Sequence, residues 1–84
     1  MILIAHRGNI DGPNPEQENN PDYIDKAIKK GCDVEIDIRG SFVSGLYLGH
    51  DFKQYKVSPI WVYQRIQHLW IHAKDIEALS LIHI

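Results

Sequence analysis

The chain opens on an unbroken apolar run, Ile2-Leu3-Ile4-Ala5, whose length predicts a strand covered on both faces, as parallel sheets require. It stops at His6-Arg7-Gly8, and the Asn-, Pro- and Gly-rich stretch from Asn9 to Asn20 reads as a long loop of the kind that carries function. Asn20-Pro21-Asp22 then supplies an N-cap, a proline at the first helical position and an acidic first turn. Lys29-Lys30-Gly31 supplies a basic last turn and a glycine stop. Between them Tyr23, Ile24, Ala27 and Ile28 share one face, which predicts a helix lying on a sheet. Val34-Glu35-Ile36-Asp37-Ile38 alternates strictly and predicts a second strand.

After Arg39 the pattern predicts a short excursion that turns at Ser44-Gly45 into a third strand ending at Leu48. Ser58-Pro59 predicts a helix to about Gln67, with Val62, Ile66 and Leu69 at helical spacing, and Leu69–Ala73 a fourth strand. Asp75 predicts the cap of a last helix through Ile76, Leu79 and Ile82. The order β-α-β-β-α-β-α implies an α/β layer with a mainly parallel sheet. Ligands of such sheets lie where strands end.

The chain has 84 residues, room for a single small domain with a marginal core. Nine Lys and Arg against eleven Asp and Glu give a formal charge of -2, which excludes the basic stripe of a nucleic-acid groove. The lone Cys32 forms no internal disulfide, and no stretch reaches the ~18 uncharged apolar residues of a membrane span. The expectation is a soluble, cytoplasmic protein.

Ionisable pairs stand at four successive strand ends: His6-Arg7, Glu35-x-Asp37, His50-Asp51 and His72-x-Lys74. Glu35 and Asp37 are two apart in a strand, so both point to one face. Carboxylates that close raise each other's pKa, and a hard cation such as Mg²⁺ or Ca²⁺ relieves the repulsion. His6 and His50 are imidazoles able to exchange protons near neutral pH, and Arg7 and Lys74 are cations suited to phosphate. Other readings remain: a solvated strand face for the carboxylates, hydrogen-bonded structural histidines, and salt bridges from Arg7 or Lys74 to Glu18, Glu35 or Asp37.

Ile4-Ala5-His6-Arg7-Gly8, Glu18-Asn19, Ala27-Ile28-x-x-Gly31-x-Asp33-Val34-Glu35-Ile36-Asp37 and Leu48-Gly49-His50-Asp51, in this order and spacing, resemble the glycerophosphodiester phosphodiesterases. These are (β/α)₈ barrels related to the phosphatidylinositol-specific phospholipases C. Trp70-Ile71-His72-Ala73-Lys74 continues the resemblance more weakly. The resemblance implies metal-dependent hydrolysis of a small-molecule glycerophosphodiester to glycerol 3-phosphate and an alcohol. It implies His6 and His50 as the acid and base pair, and Glu35 and Asp37 as ligands of Mg²⁺ or Ca²⁺. Arg7 and Lys74 would contact substrate, and Glu18 would order the site. His72 stands where the family has a further glutamate ligand, so either the metal differs, or the third ligand is water, or His72 is merely a strand-end residue, the last two together being the preferred expectation.

A whole (β/α)₈ barrel takes roughly 250 residues. The expectation is therefore the first three to four βα units of a TIM barrel, a truncated N-terminal part with little turnover alone, in which residues 79–84 are not native sequence. The unpaired parallel edge beside Trp70-Ile71 would invite self-association. The reading from another class is a non-catalytic α/β fragment that binds a cation or phosphate, or assembles with a partner, without turnover.

Overall fold

The computed structural model describes residues 3–41 and 43–75. The final helix expected from Asp75 falls largely outside the described residues, as do residues 79–84. The elements are β1 (Ile4–His6), α1 (Pro21–Lys29), β2 (Asp33–Ser41), β3 (Gly45–Leu48), β4 (Tyr55–Val57), α2 (Pro59–Arg65), a 3₁₀ turn (Ile66–His68) and β5 (Leu69–Ala73).

The nine-residue β2 organises the sheet. Its first residues pair in parallel with β1, with Ala5 opposite Val34 and His6 opposite Glu35. On the other side it pairs in parallel with β5, from Val34 opposite Leu69 to Ile38 opposite Ala73. From Ile38 onward β2 also pairs antiparallel with β3, which in turn pairs antiparallel with β4.

The sheet is thus mixed, two parallel and two antiparallel pairings with two short helices, and this corrects the expectation of a mainly parallel, partial TIM barrel. The cause is the length of the connections. A parallel return needs a crossover of about a dozen residues or more, whereas only residues 42–44 separate β2 from β3 and 49–54 separate β3 from β4. At the tip the Ser41 and Ser44 hydroxyls lie 2.9 Å apart, and each hydroxyl accepts the other residue's backbone N–H. The three-residue β4 carries too little alternation to be read from sequence.

Both helices lie on one face. Val34, Ile36 and Ile38 point into a core shared with Ile24 and Ala27 of α1, Val62 of α2 and Leu46 and Leu48 of β3. Helix α1 starts as expected: the Asn20 side chain accepts the Asp22 N–H at 3.0 Å, and Pro21 needs no acceptor. Helix α2 stops at Arg65 and tightens into the 3₁₀ turn, which leaves Ile66 exposed instead of inward. The opening strand is also not covered on both faces: Ala5 is buried, but Leu3 and Ile4 are exposed. Residues Asp33, Glu35, Asp37 and Arg39 therefore point to the face without helices. None of the described helices is long and apolar enough to cross a membrane.

Two glycines fix the hairpin. Gly40 has φ +87°, and a Cβ there would stand 2.0 Å from the Gly45 carbonyl oxygen. At Gly49 a Cβ would stand 1.9 Å from the Phe52 carbonyl oxygen. Either glycine replaced by alanine is expected to lower stability by about 2 kcal/mol or more, through strain and displaced backbone. Chemical denaturation checks this, with Gly12→Ala as the comparison that carries backbone strain alone, since its φ is +105° but nothing lies within 4 Å of a Cβ there.

Candidate functional site

The uncovered face of β2 presents Glu35 and Asp37 side by side with residues of both neighbouring strands. Pairing puts His6 opposite Glu35 and His72 opposite Asp37. His6 Nε2 lies 3.0 Å from Glu35 Oε1, and both side chains are about half exposed. Asp37 is different: its side chain is 1% exposed.

Four groups converge on that buried carboxylate. Asn19 Nδ2 donates to Oδ2 at 2.9 Å, and the Asp37 backbone N–H donates to Asn19 Oδ1 at 3.0 Å, so the amide closes a two-way clasp. Arg7 Nε lies 3.1 Å from the same Oδ2, close enough for charge attraction but not aligned for a hydrogen bond. His50 Nδ1 lies 3.5 Å from Oδ2, and His72 Nδ1 lies 3.3 Å from Oδ1.

Arg7 and Asn19 reach Asp37 only because both hold left-handed backbone, with φ of 55° and 66°. Such angles are uncommon outside glycine and persist where surroundings enforce them. Here the Arg7 N–H donates to the Glu35 carbonyl at 2.7 Å, and the Arg7 carbonyl accepts the Asn19 N–H at 3.0 Å. The two residues therefore hold each other and are tied to β2. The guanidinium is braced further by Glu18, whose Oε1 accepts Arg7 Nη1 at 3.0 Å. Glu18 Oε2 accepts the Asn9 side chain and the Asn14 backbone N–H, and Tyr23 donates its hydroxyl to Asn9 Oδ1.

These contacts set the acidity of both carboxyls. Burial alone would push Asp37 up, but the Asn19 hydrogen bond and then the charges of Arg7, His50 and Lys74 outweigh it, and Asp37 is held below its usual range. The expectation that Glu35 would raise it is corrected: the Asn19 hydrogen bond first, and then charges arriving from other segments, decide the sign. Burial also pushes Glu18 up, and its bonds to Arg7, Asn9 and Asn14 again outweigh that, holding it low.

His50 stands at the end of β3. Arg7 Nη2 lies 2.7 Å from its Nδ1 and 3.3 Å from its Nε2, and since a guanidinium only donates, the nearer contact assigns the lone pair to Nδ1 and the proton to Nε2. A cavity of about 250 Å³ opens beside this pair, lined among others by Arg7, Glu18, Asn19, His50 and Phe52. His6 and Glu35 are outside it. Glu35 instead lines a cleft of about 290 Å³ with Trp70, Ile71 and His72. A groove of about 610 Å³ between α1 and α2 contains none of the predicted site residues. Lys74 extends the β5 pairing, its N–H donating to the Ile38 carbonyl at 2.9 Å, and contributes charge near Asp37.

Among the described residues no group of three or more His, Cys, Asp or Glu side chains is arranged to hold a metal ion. Glu35 and Asp37 remain two hard oxygen donors on one face. Glu35 is about half exposed, whereas both oxygens of Asp37 already face Asn19, Arg7, His50 and His72. Sequence reasoning gave no role to Asn19, Asn9 or Arg39. Asn19 had one signal, since asparagine is enriched in left-handed backbone. No family model, curated protein or solved structure matches the chain.

Two outcomes follow from these contacts. Asn19→Ala removes the bond to a buried carboxylate and the acceptor of the Asp37 backbone N–H, and forces alanine into left-handed backbone, so a loss of about 3 kcal/mol is expected in urea denaturation. Because folding lowers the pKa of Glu18 and Asp37, their stabilisation is complete above the unfolded values near ~4 and is lost as pH falls through the lower folded values. Denaturation midpoints should therefore drop below about pH 4, and Glu18→Gln should make the drop shallower while lowering stability at neutral pH.

Proposed function

We propose that this face of the sheet is a phosphodiester site, and that its activity is hydrolysis of a glycerophosphodiester to glycerol 3-phosphate and an alcohol. The observation that carries the proposal is the braced Arg7 guanidinium, strained in backbone and held by Glu18 beside Asp37 and His50 at the mouth of one cavity. A guanidinium so fixed is suited to phosphate oxygens, and Lys74 adds positive charge nearby. Glu35 and Asp37 would hold a divalent cation, Mg²⁺ or Ca²⁺. When bound, it would polarise the phosphoryl group and offset charge that builds during attack.

The residues themselves divide the remaining work. Arg7 orients the diester and stabilises its equatorial oxygens. Of His6 and His50, one ring takes the proton of the attacking oxygen and the other returns a proton to the departing alcohol. Glu35 orients His6, and Arg7 orients His50. Glu18 keeps the guanidinium in place.

A second reading is favoured by one observation: the Arg7–His50 cavity and the Glu35–His72 cleft are separate. On that reading the chain binds a phosphate group or a cation without turnover. The two part in one pair of measurements. Binding of glycerol 3-phosphate, followed by NMR, should perturb His50 and be lost in Arg7→Ala under either reading. With Mg²⁺ or Ca²⁺ present, release of glycerol 3-phosphate from a glycerophosphodiester is expected to fall about 10²–10⁴-fold in His6→Ala and in His50→Ala. Binding without any turnover selects the second reading, and neither binding nor turnover sinks both.

A further inference from the structure

Strand β3 ends at Leu48, and the next two carbonyls, of Gly49 and His50, have no strand partner to accept from. A single side chain takes both: Arg39 Nε donates to the Gly49 carbonyl at 3.0 Å, and Arg39 Nη2 donates to the His50 carbonyl. Arg39 lies on β2 two residues beyond Asp37 and therefore on the same face. The Asp37 carbonyl accepts the Gly49 N–H at 3.1 Å, a third tie from the same short stretch of strand.

We infer that Arg39 is the positioning residue of His50, and this rests on the phosphodiester reading of the site. The Asp37 carboxylate and the backbone under the His50 ring are both referred to β2, one by covalent attachment and the other through the Arg39 fork. A planar guanidinium that donates to two successive carbonyls fixes the orientation of that backbone as well as its distance. The His50 ring then meets Arg7 Nη2 with Nδ1, which holds it in one tautomer. Without Arg39, one of the three ties between β2 and the Gly49-His50 pair is left, the Gly49 N–H. The Arg39 fork ends on backbone carbonyls and does not line the cavity beside Arg7, so its loss should leave phosphate binding intact.

The experiment is Arg39→Ala, read by ¹⁵N NMR of the His50 ring and by steady-state kinetics on a glycerophosphodiester. The native ring should show one nitrogen with a lone pair and one carrying hydrogen. In Arg39→Ala the two signals should move toward an average, kcat should fall about 10–100-fold with KM within about twofold, and added guanidinium should restore part of the rate. A stabilising role alone would lower the melting temperature without changing the ring signals. Native ring signals in folded Arg39→Ala overturn the inference whatever the rate. If Arg39→Ala does not fold, Arg39→Lys replaces it: an ammonium does not span both carbonyls, so the same averaging is expected and native signals again overturn the inference. Absence of turnover in the unaltered chain overturns the phosphodiester activity and leaves the ring signals to decide the role of Arg39.

Discussion

A carboxylate that is both charged and 1% exposed sets the terms for everything around it. An ionised Asp37 in the middle of a sheet is costly to bury unless donors surround it, and no single neighbour in sequence supplies them. They come instead from Arg7 after β1, Asn19 before α1 and His72 in β5, with the His50 ring close by after β3. Each of these segments must reach its final place before the carboxylate is satisfied. Polar demand at one atom group thus does for the uncovered face what apolar packing of Val34, Ile36 and Ile38 does for the other.

Strand β2 serves two architectures at once. Its first half is the middle of a parallel, helix-backed layer, and its second half is one arm of an antiparallel hairpin. The change falls at Asp37 and Ile38, where β3 replaces β1 as the neighbour on that side. A site forms there because three strands end or change partner within reach of one side chain. The glycines at positions 40 and 49 make the change possible, one through positive φ and both through the space that a Cβ would fill.

Local signals in the sequence were strong wherever chemistry is local. The Asn20-Pro21 start of α1 and the span of β5 are read correctly from neighbouring residues alone. The alternation of β2 also assigned Glu35 and Asp37 to one face and the core residues to the other. What pattern reading lost were properties set by distant segments. Whether a strand returns parallel or antiparallel depends on connection length, and residues 42–44 were too few for the crossover that a mainly parallel sheet needs. The sign of the Asp37 pKa shift depends on the Asn19 hydrogen bond and then on the charges of Arg7, His50 and Lys74, none of which lies near it in the chain. Asn19, quoted in a motif beside Glu18, was given no role of its own because that role comes from a backbone angle and a clasp closed across eighteen positions.

The backbone bond from Asn19 to Arg7 has an evolutionary side. It cinches residues 8–18 at the base, so the excursion begins and ends at two residues already locked to β2. Beyond the contacts of Asn9, Asn14 and Glu18, the stretch through Ile10, Asp11 and Gly12 holds little of the site in place. Closing a longer loop costs only about 0.6 kcal/mol for each doubling of its length. This is the place where the chain can accept insertions without re-solving the geometry beneath.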